Sequence, residues 1–228
     1  MTLKERIIEA AYELFGQNGY DKTTVAEIIK KAGASKGGFY HHFQSKEEIL
    51  ETITFAYIDK VRKAYRQVLD DKDMSVIDKF VASFHRVNEM KLESVDEWGK
   101  IKNLYANRQN HVLLVRMGQA FEQETAIYYE ELIERGIQEG VFQTAYPEQL
   151  AALWAREAIK FQRMTRHLFL DPDLEEESFI KTLLFNELLI NQQLGLDAKT
   201  IELESMGRNY LESMRERLKG REFDVEMV

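Results

Sequence analysis

The chain has 228 residues, of which 44% are hydrophobic and 31% charged, and its formal net charge at pH 7 is -8. This composition is typical of a globular protein that is long enough to bury a core, and it excludes a disordered chain. The absence of cysteine excludes disulfides and thiolate-bound metals. Because no apolar run is long enough for a membrane span or a signal peptide, we expect a cytoplasmic protein without membrane attachment.

The charge is unevenly distributed along the chain. Residues 1–46 hold 7 lysines and arginines against 5 aspartates and glutamates, so the remainder carries all of the acidic excess. A slightly basic head on an acidic body is compatible with nucleic-acid binding by the head alone, although counts this small also arise by chance.

Four helices are predicted in the first third of the chain. Thr2 and Thr24 each stand three residues before a glutamate, the spacing of a capping box, and each is followed by apolar residues at helical spacing. The first helix is expected to end at Gly19 and the second at Gly33. A third, short helix follows the N-cap Ser35, and a long fourth helix follows from residue 46 to about residue 69.

Two short helices joined by a tight turn that contains glycine form a helix-turn-helix, which we place at about residues 24–43. Further helices are predicted for the rest of the chain near residues 75–93, 96–107, 110–139, 147–168, 174–194 and 198–219. The last eight residues, REFDVEMV, are expected to be disordered.

The stretch GASKGGFYHHF, residues 33–43, combines two glycines with four rings. At the start of a recognition helix, Gly37 and Gly38 would let the backbone approach DNA, while Phe39 and Phe43, four residues apart, would anchor the helix in a core. The remaining polar side chains of this helix would then face outward, where they reach phosphates or base edges: Lys36, Tyr40 and His41. Taken alone, the same glycines also fit a loop above a core of rings, but the surrounding helix caps favour the recognition helix.

The stretch TTVAEIIKKAGASKGGFYHHFQSKEEIL resembles the DNA-binding domain of the TetR family of bacterial transcriptional regulators. In that family a threonine opens the second helix, a Gly-x-Ser-Lys-Gly turn follows, and an aromatic motif then leads into Ser-Lys-Glu-Glu. The resemblance implies an all-α fold. Its N-terminal three-helix DNA-binding domain, residues 1–46, is joined by the long fourth helix to a larger helical effector-binding and dimerisation domain, residues 47–228.

The resemblance also implies roles for individual residues of the head. Phosphate contacts would come from Thr24, Ser35, Lys36, Tyr40 and Lys46. Gly37, Gly38 and His41 would face the groove and base edges, and His42 would either meet phosphate or pack beneath the helix. Because the family often has a larger polar residue at position 38, glycine there leaves more of the specificity to DNA shape.

For the body, the resemblance implies a homodimer and a small, hydrophobic effector. The dimer helices would be residues 147–168 and 174–194, whose sequences are apolar on much of their circumference; helices buried within one subunit would show the same pattern. Ordinary core and surface positions would carry the same residue types as an effector site. Eight residues of the middle helices are candidates for the effector site: Trp98, Tyr105, Arg108, Gln109, Met117, Phe121, Trp154 and Phe161.

The sequence predicts no enzyme, no cofactor and no metal site. None of the 5 histidines has a glutamate three residues before it, as a di-iron helical bundle requires, and no phosphate-binding loop or nucleophile elbow occurs. Two alternatives keep the helical fold: a DNA-binding regulator that is constitutive or controlled by a partner protein, and a protein–protein module that uses only the helical body. Repression as the mode of control follows from the resemblance.

Overall fold

The computed structural model describes residues 1–93, 110–170 and 176–218. In these ranges the chain forms nine α-helices and no strand, as the sequence predicted. The helices are α1 (Leu3–Asn18), α2 (Val25–Ala32), α3 (Lys36–His42), α4 (Lys46–Leu69), α5 (Val76–Glu93), α6 (His111–Gln138), α7 (Pro147–Leu170), α8 (Glu176–Gln193) and α9 (Leu203–Leu218). None of the helices in these ranges is long and apolar enough to cross a membrane.

The first helices begin and end where their capping residues predicted. The Thr2 hydroxyl accepts the backbone N–H of Glu5, and the Glu5 carboxylate accepts the N–H of Thr2, which is a complete capping box. Thr24 and its glutamate form the same box at the start of α2. Gly33 ends α2 with φ +60°, a left-handed conformation that glycine adopts without the steric cost of a side chain.

The start of the last helix was predicted wrongly. Residues 198–202 do not continue a helix, because Lys199 lies at φ +64° and Thr200 bonds back to Asp197 in a turn. The side chain of Asn191 holds this turn: its Oδ1 accepts the N–H of Ile201 and its Nδ2 donates to the Ile201 carbonyl. Helix α9 therefore begins about five residues later than predicted.

Two of the predicted segments lie outside the described residues: the helix near 96–107 and the C-terminal eight residues. The remaining predicted helices agree with α5, α6, α7 and α8 to within two residues at each end.

The described chain divides into two compact units. Unit 1 holds residues 1–61, 91–93 and 110–121, and unit 2 holds residues 62–90, 122–170 and 176–218. Helices α4 and α6 each contribute residues to both units. The predicted domain boundary at residue 46 follows the DNA-binding motif, whereas unit 1 also includes the next four turns of α4 and the first turns of α6.

Unit 1 is built around one hydrophobic core. Phe15 of α1, Ile28 of α2 and Phe39 of α3 are fully buried in it, together with Ile49 and Leu50 from the start of α4. Two residues of α6 also belong to this core: Leu113 and Met117. The three short helices thus pack against the first turns of α4 and α6, which fixes how α3 is presented to solvent.

Unit 2 has a core rich in aromatic rings. Tyr65 and Tyr128 stack with ring centroids 4.3 Å apart, and Phe80 lies 5.1 Å from Trp154. Helix α8 packs against both α7 and α9. Its buried side includes polar groups, since Asn186 donates to Glu157 of α7 and the Glu187 carboxylate accepts the N–H of Glu204 at the start of α9.

Candidate nucleic-acid interface

Helix α3 separates an anchoring face from an exposed face, as predicted. Phe39 and Phe43 are buried in the core of unit 1, with their ring centroids 6.3 Å apart. Lys36, Tyr40 and His41 are exposed. An ammonium, a phenol and an imidazole thus lie on one short, firmly anchored helix, where they can donate hydrogen bonds to an acidic ligand.

The N-terminus of α3 is capped by the Ser35 hydroxyl, which accepts the N–H of Gly38 at 3.0 Å. A Cβ added to Gly37 would meet nothing within 4 Å, so this position opens to solvent. A Cβ on Gly38 would lie 3.1 Å from a methyl of Leu3 and 3.1 Å from the Ser35 hydroxyl. The two glycines therefore differ: Gly37 permits an outside ligand to approach, and Gly38 permits α3 to lie close to α1.

The predicted phosphate ligand Thr24 is exposed at the start of α2, with its hydroxyl engaged by Glu27. The hydroxyl donates to the Glu27 carboxylate at 2.7 Å and accepts the Glu27 N–H at 3.2 Å. The Thr24 N–H also donates to the Glu27 carboxylate, at 2.8 Å. The bond from the Thr24 hydroxyl, followed by the bond from its N–H, lowers the pKa of Glu27 below its ordinary value of 4.5. At neutral pH a negative charge therefore lies beside this threonine.

Lys46, another predicted phosphate ligand, binds the protein's own backbone. Its ammonium donates to the carbonyls of Tyr20 at 2.7 Å, Asp21 at 3.2 Å and Thr23 at 3.1 Å, and it lies 4.4 Å from the centroid of the Tyr20 ring. An ammonium has three N–H donors, and these carbonyls engage all of them. A phosphate contact by Lys46 stays a prediction, and it requires at least one of these bonds to be exchanged.

His42 is half-buried and its ring lies 4.9 Å from that of His41 in an edge-to-face arrangement. This position leaves both of its predicted roles open. Two residues that pattern reasoning did not single out also belong to this region: the Tyr20 hydroxyl donates to the Glu47 carboxylate at 3.0 Å. Burial, with this hydrogen bond as a smaller cause, raises the pKa of Tyr20 well above its ordinary value.

The predicted effector residues that the structure describes do not lie together at one site. Trp98, Tyr105, Arg108 and Gln109 lie outside the described residues. Met117 packs in the hydrophobic core of unit 1, and Phe121, in the same unit, has its ring 6.4 Å from that of Tyr57. Trp154 and Phe161 do come together in unit 2, with ring centroids 5.9 Å apart.

The predicted dimer helices present apolar side chains to solvent. Phe185 and Leu188 of α8 are 63% and 65% exposed, and they lie one turn apart on the same face. Beside them is an open groove of about 530 Å³, lined by Lys160, Glu177, Ser178, Lys181, Thr182 and Phe185. This groove includes none of the predicted effector residues.

Residues 7–53 match the family described as bacterial regulatory proteins, tetR family. This segment contains α2 and α3 whole, together with most of α1 and the start of α4. The N-terminal segment of the chain is thus a DNA-binding domain of the TetR family of bacterial transcriptional regulators. A helical body follows this domain.

Similarity to individual members of the TetR family is strongest at the N-terminus. The chain is 27% identical over 143 residues to the HTH-type transcriptional repressor KstR2 of Mycolicibacterium smegmatis, an alignment that covers 61% of this chain and 67% of KstR2. It is 49% identical over 49 residues to the HTH-type transcriptional regulator QacR of Staphylococcus aureus. That second alignment covers 22% of this chain and spans only 26% of QacR, about a quarter of its length.

The fold of the whole chain is also that of the TetR family. A crystal structure of a TetR-family transcriptional regulator from Syntrophomonas wolfei superimposes with a TM-score of 0.56 at 18% identity, and the match covers 97% of each chain. At this identity the match shows a shared fold and carries no information about effectors.

Proposed function

We propose that this TetR-family protein is a repressor that binds a palindromic operator as a homodimer and is released by a small hydrophobic effector. DNA binding rests on one observation above all: α3 exposes Lys36, Tyr40 and His41 beside the open position of Gly37, while Phe39 holds the helix in the core. In a helix-turn-helix this helix lies in the major groove, and phosphate contacts fix its register.

DNA binding is tested by fluorescence anisotropy with the protein's own upstream DNA and a scrambled fragment, at several salt concentrations. We expect tighter binding to the upstream DNA and a steep loss of affinity with salt. Lys36→Ala is expected to weaken binding on all sequences and to reduce the salt slope by about 1.

Lys72→Ala is the matched control, because Lys72 is an exposed lysine in unit 2. Its substitution changes the net charge by the same amount and is expected to leave the salt slope unchanged. If Lys36→Ala combined with Tyr40→Ala binds DNA as tightly as the wild type, the assignment of α3 as the recognition helix is wrong.

The homodimer is proposed to form through residues 147–168 and 174–194, that is, through α7 and α8. The exposed apolar pair Phe185 and Leu188 supports this surface, because a second copy of the helix pair would cover it. Analytical ultracentrifugation tests it: Leu188→Glu is expected to shift the protein towards monomer, whereas Ile137→Glu, on an exposed apolar residue of α6, is expected to leave the dimer intact.

Effector control is proposed as a population shift. An effector that binds the body would favour a conformation of the dimer in which the two α3 helices leave the separation of about 34–36 Å that matches one DNA turn. The core around Trp154 and Phe161 is lined by rings and neutral hydroxyls, such as the Ser83–Tyr129 pair at 2.8 Å, which suits a hydrophobic molecule.

A screen of uncharged aromatic and aliphatic compounds in the same anisotropy assay tests effector control. Release of DNA by one compound class, with loss of the response in Trp154→Ala, supports it. If DNA binding does not respond to any small molecule and instead changes with a partner protein or not at all, the constitutive or partner-controlled regulator is the better description.

A further inference from the structure

Asn110, immediately before α6, bonds to the backbone of a segment far away in the sequence. Its side chain is fully buried in unit 1. Its Oδ1 accepts the N–H of Tyr20 at 2.6 Å, and its Nδ2 donates to the carbonyl of Phe15 at 2.9 Å. One amide thus binds a backbone donor and a backbone acceptor at the end of α1, and the Phe15 carbonyl also accepts the N–H of Gly19 at 3.1 Å.

The bonded segment is the turn between α1 and α2, which leads directly into the helix-turn-helix. Within the segment that matches the family, the Thr23 hydroxyl donates to the Gly19 carbonyl, and the Lys46 ammonium donates to three carbonyls of the turn. Asn110 differs from Thr23 and Lys46 because it lies outside residues 7–53, at the start of a helix that continues into unit 2.

Asn110 is also placed in register with the core of unit 1. Leu113 and Met117 follow it at intervals of three and four residues, so both lie on the face of α6 that continues from Asn110. Leu113 and Met117 are part of the hydrophobic core that holds Phe39. The apolar pair is non-directional, whereas the two hydrogen bonds of Asn110 have defined lengths and angles and so fix the position of the turn.

We propose that Asn110 is a positioning residue for DNA recognition. It holds the α1–α2 turn on the first turn of α6, and thereby holds α2 and α3 in the orientation that binds DNA, without touching DNA itself. This inference rests on the proposed function, because it needs a head that binds DNA.

The chain offers a matched control for a substitution of Asn110. Asn191 in unit 2 is also a buried asparagine, 2% exposed. Its amide accepts the N–H of Ile201 and donates to the Ile201 carbonyl. Asn110→Leu and Asn191→Leu remove the same groups from similar surroundings, and both are expected to lower the melting temperature. A role in DNA recognition predicts that only Asn110→Leu changes DNA affinity.

The experiment combines anisotropy titration with hydrogen–deuterium exchange on the full-length dimer, at protein concentrations where ultracentrifugation shows both variants to be dimeric. Asn110→Leu is expected to bind the upstream DNA about tenfold more weakly or worse, because the Tyr20 N–H loses the Asn110 oxygen, the Phe15 carbonyl keeps only its bond to Gly19, and the turn moves. Deuterium uptake in the peptide that covers residues 16–24 is expected to rise in Asn110→Leu and to stay at the wild-type level in Asn191→Leu.

The outcomes separate the two proposals. Wild-type protein that does not bind its upstream DNA or any genomic fragment contradicts the proposed function. If the wild type binds DNA and Asn110→Leu binds it with the same affinity, the positioning role is overturned, whether or not deuterium uptake in residues 16–24 rises. An equal loss of affinity in both leucine variants also overturns it, since the loss then follows general destabilisation.

Discussion

The two units use their polar side chains differently. In unit 1 several polar contacts around α3 run from side chain to backbone: Thr2, Ser35 and Lys46 each bond to main-chain groups at helix ends or in a turn. In unit 2 many contacts join side chains of distant helices, such as Arg62 with Glu124 at 2.8 Å and Ser83 with Tyr129 at 2.8 Å.

This difference follows from what each unit must hold in place. The head presents one seven-residue helix, which has little surface of its own to bury, so caps and clasps on the backbone must define its ends. The four helices from α5 to α8 are each 18 to 28 residues long. Their position is set by packing and by pairs of side chains. Caps and other bonds to the backbone therefore contribute more to the position of α3, and side-chain pairs between long helices contribute more in unit 2.

The largest expected effect is loss of the aromatic anchor of the head. Phe39→Ala removes a fully buried ring from the core of unit 1 and is expected to cost about 3–5 kcal/mol of stability, with loss of DNA binding. Phe55→Ala is the control, because Phe55 belongs to the same unit and is 68% exposed, so little change is expected. Chemical denaturation of both variants measures the difference, and equal effects would mean that the core is assigned wrongly.

A smaller effect is expected from the hydroxyl pair in unit 2. Ser83 donates its hydroxyl hydrogen to the Phe80 carbonyl at 3.0 Å, so the Tyr129 hydroxyl must be the donor to Ser83. Burial raises the pKa of Tyr129 above its ordinary value. Ser83→Ala removes the acceptor and is expected to cost about 1–3 kcal/mol.

The double variant Ser83→Ala with Tyr129→Phe sharpens this prediction, since it removes both partners and is expected to be more stable than Ser83→Ala alone. Denaturation of the two single variants and the double variant completes the cycle. If the losses in unfolding free energy of the two single variants add up to that of the double variant, the hydrogen bond between Ser83 and Tyr129 contributes no coupling energy.

The two adjacent glycines of α3 are expected to differ in how much alanine changes stability. Gly37→Ala places a Cβ in open space and is expected to stabilise the helix by up to about 1 kcal/mol, yet to weaken DNA binding by holding the backbone away. Gly38→Ala presses against Leu3 and Ser35, so its gain in stability is expected to be smaller or absent. Thermal denaturation measures the stability of each variant, and anisotropy measures its DNA affinity. Equal gains in stability for Gly37→Ala and Gly38→Ala would contradict the difference between the two positions.

The smallest expected effect is the pH dependence of the capping box of α2. The folded-state pKa of Glu27 is lowered by Thr24, so its contribution to stability is present above the ordinary value of 4.5 and is lost as the pH falls through the lowered value. Glu27→Gln is therefore expected to be less stable than the wild type at pH 7, and the difference is expected to disappear once the pH is below the lowered pKa of Glu27. The same substitution at exposed Glu139 serves as control, and a pH-independent deficit in Glu27→Gln would exclude the charge as the cause.

Sequence patterns were most reliable where the relevant contacts are local. The capping boxes, the glycine that ends α2 and the buried face of α3 depend on residues within four positions of one another, and the structure has them as predicted. The start of α9 could not be predicted, because a left-handed residue at Lys199 and a side chain from another helix, Asn191, interrupt the pattern.

The contacts of individual site residues were not predictable from the sequence. The predicted phosphate ligand Lys46 donates to three backbone carbonyls, and Met117, a candidate for the effector site that also fits an ordinary core position, packs in the core of unit 1. Both roles stay predictions. Both contacts join residues that are at least 20 positions apart in the chain, and periodicity within one helix contains no information about them.

The sequence by itself determined that this protein is helical and has a TetR-type helix-turn-helix whose second helix begins at Lys36, because caps, turns and a short motif act over a few residues. The tertiary structure decided which groups hold that helix in position. Tyr20 and Asn110 are 90 residues apart in the chain, and only folding brings the Asn110 amide to the N–H of Tyr20 and the carbonyl of Phe15.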